Sequence, residues 1–325
     1  MDESIFHSRI DLQALSEKVG QLRQEVGKVI VGQDEMVSLL ITAMLADGHV
    51  LIEGVPGVAK TLTSKLFAKV IQVGFSRIQF TPDLMPSDVL GTSVFNLKSS
   101  EFEFKPGPIF SNIILIDEIN RAPAKTQAAL FEVMEERQVT IDGATHRMKS
   151  PYLVVATQNP IEHEGTYRLP EAQLDRFLFK VLVSYPGLEE EVDILARQHQ
   201  RTGAAPLDEI TPILMAEQIE VFRKFTQQVH CEQNLLKYIA EMVQSTRNNP
   251  MLFLGASPRA SIAILSSAKA YAVISGRDFV SPEDIKTVTY PVLRHRIMLS
   301  PEKEMEGISP DEVIKQIIDK VEVPR

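Results

Sequence analysis

The 325-residue chain has no tryptophan and a single cysteine, Cys231, so no disulfide can form within it. That cysteine falls in a stretch expected to be helical and reads as a passive, partly buried thiol. No run of about 18 apolar residues occurs, so no membrane-spanning helix is expected. The opening Met1-Asp2-Glu3-Ser4 is acidic and no apolar signal segment follows it. A cytoplasmic protein is therefore the expectation. Lysine and arginine are outnumbered by acids, 34 to 43, which leaves a net charge of -9. A surface that grips nucleic-acid phosphates needs clustered cations, so nucleic acid is not an expected partner. Low-complexity stretches, solenoid periods and long linkers are also absent.

What is present is an alternation of short apolar runs and helical patterns. Leu12, Leu15, Val19 and Leu22 mark an amphipathic helix ending near residue 27, and a second runs from about Gln33 to Asp47. The apolar runs are Val50–Ile52, Ile78–Phe80, Ile113–Ile116, Leu153–Ala156 and Phe177–Val183. Runs this continuous suit a parallel sheet covered on both faces, and helices between them predict a doubly wound α/β fold. Two β-hairpins interrupt it, one from Ser93 to Phe104 and one turning at Asp142-Gly143. After about Pro186 the pattern turns all-helical, with Ser257-Pro258, Ser281-Pro282 and Ser309-Pro310 as helix starts. Ser281 with Asp284 and Ser309 with Glu312 resemble capping boxes. The reading is two domains, residues 1–187 and 188–325.

Between the expected strand His49–Glu53 and helix Leu62–Val70 lies Gly54-Val55-Pro56-Gly57-Val58-Ala59-Lys60-Thr61. Strand, glycine loop and helix N-terminus together make a phosphate cradle: backbone N–H groups curl around the phosphates and the helix dipole adds positive potential. In a P-loop NTPase, Lys60 reaches the β- and γ-phosphates of ATP and the Thr61 hydroxyl ligates Mg²⁺, with Leu62 in the helix's first turn. The usual glycine before the lysine is Ala59. Alanine does not adopt positive φ freely, so residue 59 is expected in an ordinary conformation.

The run Ile113–Ile116 ends in Asp117-Glu118, which puts two carboxylates at the ligand edge of the sheet. Asp117 suits the Mg²⁺ shell. Glu118 suits polarisation of the water that attacks the γ-phosphate. An isolated Asp-Glu is commonly a pair of solvated loop acids; behind a phosphate loop it gains meaning.

At this point the chain resembles the AAA+ superfamily, specifically its MoxR family. The resemblance rests on Gly54–Thr61, Gln79–Asp88, Asp117–Ala122, Glu136–Thr140, Ala156–Pro160 and Leu169–Phe177. It also accounts for Ala59, since the family uses an Ala-Lys-Thr loop. It implies that residues 1–187 form a nucleotide-binding domain and residues 188–325 an all-helical lid. It further implies that Asn159 is the sensor that orients the attacking water. Arg176 matches the arginine finger, with Arg168 as the alternative, and Arg259 matches the second sensor. Gly32 and Gln33, in Val31-Gly32-Gln33, resemble the segment beside the adenine, although a helix start explains them nearly as well. Arg121 and His163 are read as structural.

The two hairpins fall where this branch carries inserts that face a ring's channel, and Phe95, Phe102 and Phe104 could contact a client or simply pack together. The implied protein is a ring-forming Mg²⁺-dependent ATPase, a hexamer, that remodels an unidentified client protein, with metal-cofactor insertion among the implied roles. Two rival readings stand beside it. One is a nucleotide-gated scaffold with negligible turnover; the other is a nucleic-acid motor, which the acidic balance disfavours.

Overall fold

The computed structural model describes residues 3–55, 57–159, 169–200 and 206–324. Two helices come first, α1 (Glu3–Gly27) and α2 (Asp34–Leu45). Strand β1 (Val50–Gly54) runs into α3 (Lys60–Val70) and β2 (Phe75–Gln79). A short α4 (Pro86–Leu90) precedes the hairpin of β3 (Gly91–Asn96) and β4 (Glu101–Pro106). Then follow β5 (Ile113–Asp117), α5 (Ala124–Glu136), the hairpin of β6 (Gln138–Ile141) and β7 (Ala144–Arg147), β8 (Leu153–Gln158), α6 (Glu171–Leu174) and β9 (Phe179–Val183).

The remainder is helical: α7 (Leu188–Gln200), α8 (Ala216–Gln228), α9 (Gln233–Arg247), α10 (Pro258–Ile274), α11 (Pro282–Leu293), α12 (Pro301–Met305) and α13 (Pro310–Lys320). It is not purely helical, because β10 (Leu252–Leu254) and β11 (Met298–Leu299) pair as a short antiparallel ribbon. No helix among the described residues is long and apolar enough to cross a membrane.

The central sheet has the order β2-β5-β8-β1-β9, with every pairing parallel. Strand alternation sends Val50, Ile52, Ile113, Leu115, Leu153 and Val155 to one face, against α1, α2, α3 and the later helices. Leu51, Ile114, Ile116, Val154 and Ala156 go to the other face, with Leu130, Phe131 and Met134 of α5. Both faces are dry, so β5 is buried along its whole length, each aliphatic side chain contributing roughly 2 kcal/mol. Edge strand β2 has one neighbour, and only Ile78 within it is buried. It therefore spans Phe75–Gln79, and Phe80 leaves the strand to pack in the core while its N–H donates to the Asp117 carbonyl.

The second hairpin turns at Asp142 and Gly143, both at positive φ. Phe95 and Phe102 pair across β3 and β4 at 5.2 Å. Phe104 does not join them but stacks on His146 of the other hairpin at 4.1 Å. The two inserts thus lean on each other. Helices α11 and α13 carry the expected capping boxes, Ser281 with Asp284 and Ser309 with Glu312. Ser300-Pro301 also opens a helix, α12, with proline in its first turn but without a side-chain cap. Cys231 lies in the connection between α8 and α9 rather than in a helix, and burial pushes its thiol up.

Candidate functional site

β1 ends at Gly54 and α3 begins at Lys60, so the connecting loop lies across a helix N-terminus at the carboxyl edge of the sheet. A Cβ on Gly54 would stand 2.5 Å from the Val183 carbonyl oxygen, so only glycine lets β9 pair this closely there. Gly57 is exposed at φ +86°, with open space around the position of a Cβ. Val58 is buried and Val55 packs against the core, which anchors the loop from beneath. Thr61 and Leu62 are half-buried in the first turn of α3. Lys60 Nζ donates to the Gly54 carbonyl at 2.6 Å, folding the ammonium over the loop.

Ala59 corrects the sequence expectation. It sits at φ +58°, ψ +19°, in the left-handed region. The loop must reverse sharply to deliver N–H groups to one point, and that curvature demands positive φ whichever residue occupies the position. The cost is of order 1 kcal/mol. The Ala59 carbonyl nevertheless starts the helix, accepting from the Thr63 N–H at 2.9 Å and its hydroxyl at 3.0 Å.

A cavity of about 280 Å³ adjoins the loop, lined by Val31, Gln33, Val58, Leu62, Ile194 and Arg197 among others. Its walls are mostly apolar and it opens beside Gly57 and Ala59, as a purine base joined to phosphates in the cradle requires. Gln33 is among the residues that line it. Gly32 does not line the cavity. It lies at φ +71° against the Glu190 carboxylate, which a Cβ would strike. The α7 wall was not foreseen, because nothing local in Ile194 or Arg197 marks them as neighbours of residue 31. A larger cavity of about 550 Å³ lies between the end of α2, α8 and α10. It is lined by ion-paired Asp47, Glu220 and Arg223 and has no phosphate cradle.

The strand register aligns Ile116 with Ala156, and Thr157 with Ile52, so Asp117, Glu118, Asn159 and the loop share one sheet edge. Asp117 is engaged twice: Arg77 Nε lies 2.5 Å from its Oδ2, and the Thr157 hydroxyl donates to its Oδ1 at 3.3 Å. Thr157 Oγ1 also accepts from the Glu118 N–H at 3.1 Å, so one buried hydroxyl orders both acids. Glu118 adopts φ +57°, ψ +53°, which turns its side chain out of the strand direction. Its Oε2 accepts a hydrogen bond from Gln79 Nε2 at 3.0 Å and is ion-paired with Arg121, whose Nε lies 2.9 Å away. Arg121, read as structural, thus holds the second acid of the pair. Thr61 and Asp117 supply a hydroxyl and a carboxylate, the hard oxygen donors a magnesium ion takes.

Asn159 follows β8 directly and is half-buried. Arg176 Nη1 donates to the Phe131 carbonyl at 3.0 Å and is ion-paired with Glu135. Arg259, two-thirds exposed in the first turn of α10, has Nη2 3.9 Å from Glu135 and Nη1 3.7 Å from Asp175. Arg176 and Arg259 therefore share one acidic cluster built from α5 and the turn before β9. Among the described residues, the polar partners of both belong to α5 and that turn, none to the cradle. Pro56, His163 and Arg168 lie outside the described residues.

Comparison with known proteins agrees with this architecture. Residues 49–179 match the ATPase family associated with various cellular activities (AAA), and residues 244–317 match an AAA lid domain. "Chaperone MoxR1" of Mycobacterium tuberculosis is 46% identical over 93% of this chain and 81% of its own. "Protein MoxR" of Methylorubrum extorquens is 29% identical over 94% of each chain. "Uncharacterized protein YeaC" of Bacillus subtilis is 47% identical over 94% of this chain and 95% of its own. A crystal structure of a candidate ATPase from Cytophaga hutchinsonii superposes with a TM-score of 0.92 at 42% identity, covering both chains completely.

Proposed function

The chain belongs to the MoxR family of AAA+ ATPases, and on that premise we propose that it binds and hydrolyses ATP with Mg²⁺ in a ring whose subunits share active sites. The observation that carries the reading is the meeting of the Gly54–Thr61 cradle, the Asp117-Glu118 pair and an apolar base cavity at one sheet edge. Lys60 exchanges the Gly54 carbonyl for phosphate oxygens. Thr61 and Asp117 would hold Mg²⁺, which would supply charge neutralisation on the phosphates. Glu118 leaves Gln79 and Arg121 to accept the proton of the attacking water, which Asn159 orients as donor and acceptor at once.

Arg176 and Arg259 complete the site of the neighbouring subunit. Their shared cluster lies on α5, the turn before β9 and the α10 N-terminus, and a permanently charged guanidinium suits charge developing on the transferred phosphoryl group. The ring is a hexamer, residues 188–325 act as its lid, and nucleotide-driven lid motion remodels a client protein in the cytoplasm. Support for client handling comes from the chaperone naming of one relative and from the exposed Phe95–Phe102 pair on the first hairpin. Insertion of a metal cofactor into the client is the finer form of this role.

The rival reading, a nucleotide-gated scaffold, draws on a specific observation: both acids are already occupied, Asp117 by Arg77 and Glu118 by Gln79 and Arg121. Phosphate release by the wild type and by Glu118→Gln separates the two. A fall of at least about a hundredfold supports hydrolysis through Glu118. Equal rates support the scaffold.

A further inference from the structure

We infer that Arg296 is a positioning residue for the arginine finger: through Asp175 it fixes the turn carrying Arg176 to the same subunit's lid, so that Arg176 and Arg259 are presented together. This rests on the shared-site reading above, which it extends by naming what sets the finger.

Arg296 follows α11, and its side chain is only 5% exposed. Its guanidinium makes five hydrogen bonds. Nε donates to Asp175 Oδ1 at 2.7 Å, Nη2 to the carbonyls of Asp175 and Phe177 at 3.1 and 2.7 Å, and Nη1 to those of Leu178 and Val292 at 3.1 and 2.7 Å. Four of the five go to residues 175–178, the turn in which Arg176 is embedded. The rigid fork of arginine is the side chain able to hold several diverging carbonyls at once. The two preceding residues reinforce the grip: His295 Nε2 bonds the Phe177 carbonyl at 2.9 Å, and Arg294 Nη1 donates to the Lys180 carbonyl at 3.3 Å.

The finger's own side chain is held differently. Arg176 touches Glu135 and one carbonyl, contacts it can exchange for a phosphate, whereas the backbone on either side of it is clasped from the lid. Asp175 joins the two arrangements, since Oδ1 takes Arg296 and Oδ2 faces Arg259 at 3.7 Å. A buried guanidinium does not release its carboxylate readily, because either charge left alone is strongly disfavoured. The turn bearing Arg176 is therefore tied to residues 294–296 at the base of the lid, and lid motion has to pivot about this clasp.

If Arg296 serves the finger, its loss damages the neighbour's site and spares its own. Arg296→Met subunits alone should hydrolyse ATP at least about tenfold more slowly than wild type, as Arg176→Ala subunits should. Their affinity for a non-hydrolysable ATP analogue should stay within about threefold of wild type. Mixed before ring assembly with Glu118→Gln subunits, which keep an intact finger but cannot hydrolyse, they should regain activity that neither component shows. Arg296→Lys should recover part of the rate. Asp175→Asn, which keeps the side-chain volume, should repeat the Arg296→Met pattern and serves if that variant does not fold. The control is Arg176→Ala mixed with Glu118→Gln. Recovery in the control without recovery for Arg296→Met and Asp175→Asn overturns the inference, as does wild-type hydrolysis by Arg296→Met alone. No recovery in the control overturns the shared site itself, and the positioning role with it.

Discussion

Arg77 Nε lies 2.5 Å from Asp117 Oδ2, so the carboxylate assigned to the magnesium shell is already paired with a guanidinium. The two are unequally placed: Arg77, on edge strand β2, is 54% exposed, whereas the Asp117 side chain is 11% exposed at the end of a buried strand. An exposed cation covers a nearly buried acid. On the proposed assignment of Asp117, metal and guanidinium would compete for the same oxygen.

Removing the competitor should favour the metal. Exposed ion pairs are worth about 1 kcal/mol or less, so Arg77→Ala should lower the Mg²⁺ concentration for half-maximal nucleotide binding by about two- to fivefold. Fluorescent-nucleotide titrations at graded Mg²⁺ measure this. A higher requirement in the variant would show that Arg77 assists the metal instead.

Ala59 at φ +58° makes a sharp prediction about side-chain shape. Ala59→Gly removes about 1 kcal/mol of strain but adds freedom to the unfolded chain, so Tm should change by less than about 2 °C and nucleotide binding should persist. Ala59→Val forces a β-branched residue into the left-handed region and should weaken nucleotide binding at least about tenfold. Normal binding by Ala59→Val would contradict the loop geometry.

Two buried histidines set an acid limit on stability. Burial pushes the His49 imidazole down to about 3, with Arg137 and Arg223 adding to the effect, and burial likewise holds His295 well below its ordinary value. Both stay neutral in the fold while the unfolded chain takes up protons below about pH 6.5, so stability is full above that pH and falls as pH drops. The slope is at most about 1.4 kcal/mol per pH unit for each histidine. Glu25 and Glu312, whose carboxyls are lowered by their hydrogen bonds, contribute stability that is lost only below about pH 4.5, outside this window. Urea unfolding at pH 7.5, 6.0 and 5.0 should show the decline, and His49→Gln should flatten it while lowering stability at pH 7.5. Unchanged stability from pH 6.5 to 5.0 would contradict the buried-neutral assignment.

The hold of Gln79 on Glu118 should be visible in the resting rate. If Glu118 must leave Gln79 to meet water, Gln79→Leu should raise basal ATP turnover by about three- to tenfold, the equivalent of one solvent-exposed hydrogen bond of about 1 kcal/mol. Steady-state phosphate release measures it. A lower rate would mean that Gln79 positions Glu118 for catalysis.

What could be read without coordinates follows from how local each feature is. β5 and β8 were legible because burial on both faces leaves unbroken apolar runs ending in Asp117 and just before Asn159. The capping boxes of α11 and α13 were legible because a span of four residues suffices to make them. Edge strand β2 begins three residues before the apolar run Ile78–Phe80 that marked it, because it buries little. The conformation of Ala59 was misjudged because residue preference was weighed without the curvature the loop imposes. Thr157, Gln79, Arg77 and the α7 wall of the base cavity were missed because they meet the site only through strand register and chain reversal. The grip of Arg296 on residues 175–178 spans about 120 positions of sequence and leaves no local trace.

The central claim is that a nucleoside triphosphate lies in the cradle ahead of Lys60, and calorimetric titration of ATP analogue and Mg²⁺ into wild type and Lys60→Ala tests it directly. Charge-assisted contacts to two phosphates amount to a few kcal/mol, so the variant should bind at least about a hundredfold more weakly with its fold unchanged by circular dichroism. Equal affinity in the two proteins would place the nucleotide elsewhere and contradict the site.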